Sequence, residues 1–250
     1  MALKRTSAPL SYTGRVARSE DLAIWLQRTV WQRRVGSWEH EASPGLERVV
    51  EAVVAHAALG PTDEVVDLGC GSGQVSLPAA AIAHHVHGVD ISERMVARLL
   101  ERARAANLAN VTAEATPLER FALEPRSVDV VVSNYVLHHL SDRAKAEVVR
   151  AAYGWLRPGG RLVIGDMMLG RGESASDRAI IAEKVRAFAA RGPAGYWRIA
   201  KNAVRYVVRV QERPISRERW VTILREAGFG GVEVIPVVSE AAIVIGHVPA

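Results

Sequence analysis

One glycine-rich loop restricts the fold of this chain more than any other stretch. Residues 65–68 form an apolar run that contains Asp67, and three glycines follow at alternate positions, Gly69, Gly71 and Gly73. The segment after them is compatible with a helix. A strand, a tight glycine turn and a helix start let the backbone close around a nucleotide-like ligand. The loop therefore predicts an α/β fold with a ligand site at this turn.

The glycine spacing argues against a dinucleotide. The dinucleotide fingerprint is G-x-G-x-x-G, whereas this loop reads G-x-G-x-G and has Gln74 where the last glycine would stand. Asp67 argues the same way, because a negative charge before the loop suits a cationic amino group better than a pyrophosphate. An NAD-type dehydrogenase is therefore not the favoured interpretation.

The stretch Val65–Gln74 resembles motif I of class I S-adenosylmethionine-dependent methyltransferases, in which an acid and an apolar residue precede G-x-G-x-G. The resemblance extends from about residue 45 to the C-terminus. After the fourth predicted strand, Asn134 and the pair His138 and His139 give Asn-x-x-x-His-His, which resembles small-molecule methyltransferases, including the quinone C-methyltransferase group.

This resemblance implies a fold and an activity. The fold is a doubly wound, seven-stranded sheet, mostly parallel with an antiparallel last strand, and with helices on both faces. The methyl donor is S-adenosyl-L-methionine, which leaves as S-adenosyl-L-homocysteine. The acceptor is oxygen, nitrogen or carbon of a small, largely apolar molecule, with acidic and lipid-like molecules included.

The resemblance also implies which residues hold the donor. In the family, the acid that matches Asp90 accepts hydrogen bonds from both ribose hydroxyls, because a carboxylate has two acceptor oxygens at the spacing of a vicinal diol. Capping the next helix is the alternative role, but Ser92 is the better cap. The expected donor-binding residues are Asp67, Gly69, Cys70, Gly71, Gly73, Asp90, Ile91, Pro117, Leu118, Asn134 and Tyr135.

One family feature is missing near the adenine. The family often carries an acid just after the third strand, where it bonds to the adenine amino group, and residues 116–118 contain none. The Leu118 backbone N–H can still meet an adenine ring nitrogen. Glu114 or Glu119 can replace the acid, or apolar packing alone can hold the ring.

Three residues are candidates for catalysis. His138 and His139 follow the fourth strand, and Asp166 follows the fifth, so all three are expected at the carboxyl edge of the sheet. Imidazole titrates near neutral pH and can take a proton from a hydroxyl or an amine. The alternatives are a histidine packed on the helix, and an Asp166 that orients the substrate or caps a loop.

The predicted domains are an N-terminal arm and lid helix at 1–44 and a donor-binding domain at 45–250, with a helical insertion at about 170–219. Tryptophans and a histidine in the first segment are candidate acceptor contacts: Trp31, Trp38 and His40. They can form an apolar lid over the acceptor. The alternative is an amphipathic helix packed against the domain.

Basic residues concentrate in the insertion. Four of them recur at spacings of three and four and share one helix face: Arg198, Lys201, Arg205 and Arg209. Such a face can contact an anionic membrane surface or bind a phosphorylated or carboxylated substrate. The alternative is the solvated outer face of a lid helix.

Composition narrows the remaining classes. The chain has 250 residues, a net charge of +5 and a single cysteine, Cys70. One cysteine argues against a disulfide framework and a cysteine metal cluster. No apolar run approaches the roughly 20 residues of a membrane span, and the N-terminus lacks an apolar signal region. The expected compartment is therefore the cytoplasm, and no metal is expected.

Two alternative functions follow from the same motifs. Methyltransferases that act on nucleic-acid bases usually carry Asn or Asp, two prolines and an aromatic residue after the fourth strand, whereas residues 133–136 read Ser-Asn-Tyr-Val. Methylation of pyrimidine C5 needs a cysteine nucleophile, and Cys70 lies inside the glycine loop. A nucleic-acid partner is therefore disfavoured, and a non-catalytic donor-binding scaffold is the second alternative.

Overall fold

A computed structural model describes residues 24–25, 27–29, 32, 44–170, 172, 175–190, 192 and 212–250. Several sequence predictions lie outside these residues. They are the N-terminal arm, the candidate acceptor contacts Trp31, Trp38 and His40, and the basic face of Arg198, Lys201, Arg205 and Arg209.

In the described part of the chain, seven strands form one sheet. They are β1 (Glu64–Leu68), β2 (His85–Asp90), β3 (Val111–Ala115), β4 (Val128–Asn134), β5 (Leu156–Met167), β6 (Gly230–Val238) and β7 (Ala241–His247). Their order is β3-β2-β1-β4-β5-β7-β6. Pairing is parallel from β3 to β5, and β7 is antiparallel to both β5 and β6. The predicted mostly parallel sheet with an antiparallel last strand is confirmed.

The helices lie between these strands. They are α1 (Pro44–Ala57), α2 (Ser76–Ala80), α3 (Glu93–Ala105), α4 (Asp142–Trp155), α5 (Ala175–Ala189) and α6 (Arg217–Ala227). Serine side chains cap three of them by accepting a backbone N–H: Ser92 for α3, Ser141 for α4 and Ser216 for α6. No helix among the described residues has the length and apolar character that a membrane span requires.

The sheet has an apolar core on each face. Successive residues of a strand point to opposite faces. Val65 and Val130 therefore pack with α1, α2 and α3, whereas Val66 and Val131 pack with α4 and α6. Burial on both faces explains why β1 and β4 read as nearly continuous apolar runs.

Strand β5 is longer than its sequence suggests. A turn at 157–160 and a strand at 161–164 are predicted there, whereas the strand spans Leu156–Met167. Its pairing with β4 shifts, because Val128 lies opposite Leu156 while Val130 lies opposite Arg161. The Pro-Gly-Gly stretch is therefore a bulge inside the strand, with Gly159 at a φ of 79°.

The strand order creates a crevice. The chain leaves β1 toward β2 on one side, and it leaves β4 toward β5 on the other. Connections that run in opposite directions leave space at the carboxyl ends of these two strands. The loops that begin at Gly69 and Tyr135 face this space.

Candidate active site at the carboxyl edge of the sheet

A cleft opens where β1, β2 and β4 end. It has a volume of about 800 Å³, part of which is open to solvent. Most of the predicted donor-binding residues line it: Asp67, Gly69, Cys70, Gly71, Asp90, Ile91, Leu118, Asn134 and Tyr135. Gly73 and Pro117 lie outside its lining.

The glycine loop brings backbone, rather than side chains, to the cleft. The N–H groups of Gly69 and Cys70 both donate to the Val89 carbonyl, at 2.7 and 3.0 Å, which fixes the loop on β2. Gly69 has a φ of 78°, and a Cβ there would lie 2.2 Å from Val136 Cγ2. A Cβ on Gly71 would meet no atom within 4 Å, so this residue faces open space. A ligand can therefore approach the backbone closely at Gly71.

Gly73 has a packing role instead. Its N–H donates to the Cys70 carbonyl at 2.9 Å, and its φ is 96°. A Cβ on Gly73 would lie 2.5 Å from Leu99 Cδ1 on α3. The third glycine therefore lets the loop close against a helix.

Asp90 is held with both carboxylate oxygens oriented. Its Oδ2 accepts the Gly71 N–H at 3.0 Å, and its Oδ1 accepts the Ser92 N–H at 2.8 Å. Burial raises the pKa of Asp90, and these backbone hydrogen bonds lower it in part. Each oxygen keeps a lone pair for a ligand hydroxyl. The arrangement fits a vicinal diol, while Ser92 caps α3 through Met95 N at 3.3 Å.

Asp67 is a buried acid at the floor of the cleft. Its Oδ2 accepts the Ser76 hydroxyl at 2.5 Å. Burial raises the pKa of Asp67 to about 7; the Ser76 hydrogen bond opposes this rise, and the nearby Asp90 charge adds to it. A cationic ligand group beside Asp67 would favour the ionised carboxylate.

Cys70 is a buried thiol within the loop. Burial raises the pKa of this thiol well above its usual value, and the charges of Asp90 and Asp67 raise it further. A thiol kept protonated is a poor nucleophile. Cys70 is therefore part of the cleft wall, and its chemistry does not favour pyrimidine C5 methylation.

The two histidines lie in different surroundings. His138 is buried, and its Nδ1 lies 2.5 Å from Asp166 Oδ1. The His138 N–H also donates to Asp166 Oδ2 at 2.8 Å. His139 lines the cleft. Of the three candidate catalytic residues, the structure thus brings His139 to the cleft and pairs His138 with Asp166 behind it.

Asn134, which ends β4, and Tyr135, which follows it, both line the cleft. Tyr135 has a φ of 53°, which costs a non-glycine residue roughly 1–3 kcal/mol. Its N–H donates to the Gly165 carbonyl at 2.8 Å, and burial raises the pKa of its hydroxyl. Asn134 Oδ1 is buried and has no hydrogen-bond partner among the described residues. This amide oxygen lies beside Gly165 of β5, since a Cβ on that glycine would be 3.0 Å from it.

Gln27 is a cleft residue that sequence reasoning missed. Its Nε2 donates to the His139 carbonyl at 2.8 Å. The helical residues around it also contact α3, because Arg94 donates to the Gln32 carbonyl at 3.0 Å and Arg28 pairs with Glu93. The sequence predicts a helix there, but the helical pattern does not distinguish Gln27 from its polar neighbours.

Glu119 and Met95 also line the cleft, beside Leu118 and Ile91. Glu119, which the sequence allows as a replacement for the missing adenine-side acid, is therefore near the predicted adenine region. No group of metal-binding side chains occurs among the residues that the structure describes.

Comparisons with known proteins agree with this geometry. Residues 65–160 match the methyltransferase domain family. The chain is 34% identical over 139 residues to the 27-O-demethylrifamycin SV methyltransferase of Amycolatopsis mediterranei. This match covers 54% of this chain and 50% of that protein. It is 38% identical over 105 residues to the ubiquinone biosynthesis O-methyltransferase of Cupriavidus pinatubonensis, which covers 40% of each. The chain thus spans half or less of the length of these relatives.

A solved structure has the same fold. Phosphoethanolamine N-methyltransferase 2 of Haemonchus contortus, in complex with phosphomonomethylethanolamine and S-adenosylhomocysteine, superposes with a TM-score of 0.60. The match covers 80% of this chain and 53% of that one, at 19% identity.

Proposed function

We propose that this chain is a class I S-adenosylmethionine-dependent methyltransferase, which transfers a methyl group from S-adenosyl-L-methionine to a small, largely apolar molecule. One observation carries the proposal. A single cleft is lined by the glycine loop, Asp67, Asp90 and His139. The donor, when bound, supplies a sulfonium methyl group that is already electrophilic.

The residues at the glycine loop fit the donor. Asp90 presents two oriented oxygens to the ribose diol, and Asp67 presents an acid to the donor ammonium. Gly71 leaves its backbone open to a close approach. These features support binding of a cationic nucleoside.

His139 supports the assignment of one side of the cleft to the acceptor. An oxygen or nitrogen nucleophile that carries a proton must lose it, and an imidazole that lines the cleft can take it. His138 and Asp166 act by holding the turn on which His139 lies. A carbon or amine acceptor that is already nucleophilic needs orientation rather than a base.

The relatives suggest acceptor classes. Their names include demethylrifamycin SV, an O-methylation in ubiquinone biosynthesis and the N-methylation of phosphoethanolamine. The apolar residues Val136 and Leu140, which line the cleft on either side of His139 in the sequence, favour a ring-containing acceptor. We therefore propose that the acceptor atom is a ring hydroxyl oxygen in preference to the nitrogen of a small amine.

Two finer proposals concern surroundings. The basic face of Arg198, Lys201, Arg205 and Arg209 is proposed to contact an anionic membrane surface or an acidic acceptor. A cytoplasmic location is supported by the single cysteine. Flotation with vesicles that contain or lack anionic lipid tests the membrane contact. Equal binding of the protein to the two kinds of vesicle would contradict that contact.

Transfer of a labelled methyl group tests the proposed function. The full chain is incubated with methyl-labelled donor and with phenols, hydroxyquinones, phosphoethanolamine or RNA, and label in each acceptor is counted. Label in a phenol or hydroxyquinone, lost in Asp90→Ala, is the expected result. Label in RNA would favour a nucleic-acid enzyme, and donor binding without transfer to any acceptor would favour the scaffold.

A further inference from the structure

Lys145 is a fully buried cation close to the cleft. It lies on α4, and its side chain is 0% exposed. Its Nζ donates to the Leu140 carbonyl at 2.8 Å and to the Arg213 carbonyl at 2.7 Å, and it lies 3.1 Å from Asp142 Oδ1. Burying an ammonium is unfavourable unless its donors are used, and these contacts use all three.

The two carbonyls belong to segments that are distant in sequence. Leu140 ends the turn that carries His139 and lines the cleft. Arg213 lies near the end of the predicted insertion. A direct hydrogen bond of 2.6 Å from the Arg213 N–H to the His138 carbonyl joins the same segments. Lys145 therefore lies where the histidine turn and the end of the insertion meet.

The buried residues after Arg213 strengthen this junction. Pro214 and Ile215 are buried, and Ile215 belongs to the core between the sheet, α4 and α6. The segment is thus anchored on the core side by apolar packing and on the cleft side by Lys145. Neither anchor requires a side chain in the cleft, so the junction can fix the cleft wall without touching a ligand.

We propose that Lys145 is a positioning residue of the active site. Its ammonium fixes the turn at 137–140 to the segment at 212–215. As a result, His139 keeps its position in the cleft, and the end of the insertion is held against the turn. The proposal rests on the proposed function for its catalytic meaning. Removal of the ammonium leaves the Leu140 and Arg213 carbonyls without this donor and frees the turn to move.

Hydrogen exchange of the full chain without any ligand tests the junction. Lys145→Met should exchange about tenfold faster than wild type at residues 138–140 and at Arg213, with the glycine loop unchanged. The matched control is Arg143→Met, since Arg143 is an exposed cation on the same helix and pairs with Glu147. The control should exchange like wild type. Equal exchange in wild type and Lys145→Met, or an equal rise throughout the sheet, would overturn the proposal.

Two further variants keep the test decisive. Lys145→Gln retains an amide NH₂ with two N–H donors and should show a smaller acceleration in the same segments. It replaces Lys145→Met in the test if Lys145→Met does not fold. Lys145→Arg retains the charge and should restore slow exchange in part. Lack of any local acceleration in Lys145→Gln would count against the junction.

Kinetics separate a positioning role from a structural one. With an acceptor found by label transfer, Lys145→Met should lower kcat about tenfold or more, while the Kd for S-adenosylhomocysteine stays within about twofold. Lys145→Arg should recover part of kcat. An unchanged kcat would overturn the proposal. If wild type methylates no acceptor, the proposed function fails, and the exchange experiment still decides whether Lys145 holds the turn.

Discussion

Binding of the donor should depend on pH through Asp67. Burial raises the pKa of this acid to about 7, so it is largely protonated below neutrality in the free protein. The donor ammonium interacts favourably with the ionised form, and binding therefore releases a proton. Such linkage weakens binding about tenfold for each pH unit below the pKa, or about 1.4 kcal/mol.

The magnitude follows from the fraction of Asp67 that is ionised. At about pH 6 roughly a tenth of Asp67 is ionised, and at about pH 8 roughly nine-tenths, so the Kd for S-adenosylhomocysteine should be about tenfold larger at the lower pH. Calorimetric titration at the two pH values measures this ratio. Repeating it in buffers of different ionisation enthalpy measures the proton released.

Asp67→Asn is the matched control. It keeps the size of the side chain but cannot ionise, so its weaker binding should not change over the same range. His139→Ala should keep the wild-type dependence, which separates Asp67 from the imidazole in the same cleft. Equal affinity of wild type at both pH values, or an undiminished dependence in Asp67→Asn, would refute the reasoning.

The same acid affects stability. Its folded pKa lies above the ordinary value of 3.8, so ionisation of Asp67 opposes folding. Its contribution to the free energy of unfolding should therefore fall as pH rises from about 4 to about 7, and stay constant above that. Urea unfolding across this range should show this fall in wild type and a smaller one in Asp67→Asn.

Three substitutions test other parts of the cleft. Asp90→Ala should weaken S-adenosylhomocysteine binding about a hundredfold or more, since two charge-assisted hydrogen bonds are lost; calorimetry that finds wild-type affinity would disprove the ribose role. His139→Ala should lower kcat for a hydroxyl acceptor about 100-fold or more, and unchanged turnover would discard the base. Gly69→Ala places a Cβ 2.2 Å from Val136 Cγ2 and should destabilise by about 1–3 kcal/mol. Thermal melting of the double variant Gly69→Ala, Val136→Ala should show that part of the stability lost in Gly69→Ala is recovered, and no recovery would contradict the packing argument.

The sheet was predictable because its signals are local. The apolar runs at β1 and β4 are buried on both faces, and Ser92 caps the helix that follows β2 as the sequence indicates. The bulge in β5 was not predictable from the sequence, since Pro158 and Gly159 indicate a turn whether or not the strand continues beyond them. Only the pairing with β4 distinguishes the two.

The candidate site divides in the same way. Asp67 lies one residue before the end of β1 and Asp90 ends β2, so the pairing of these two strands brings both acids to one cleft. The roles of His138 and His139 were not separable in sequence, because the partner of His138 is Asp166 on another strand. Gln27 and Lys145 depend on contacts with distant segments, which no local pattern records.

A crystal structure of the full chain with S-adenosylhomocysteine tests the central claim most directly. We expect the ribose hydroxyls at Asp90, the amino group at Asp67, and the His139 side of the cleft left open for the acceptor. A ligand bound with its ribose away from Asp90, or binding outside this cleft, would contradict it.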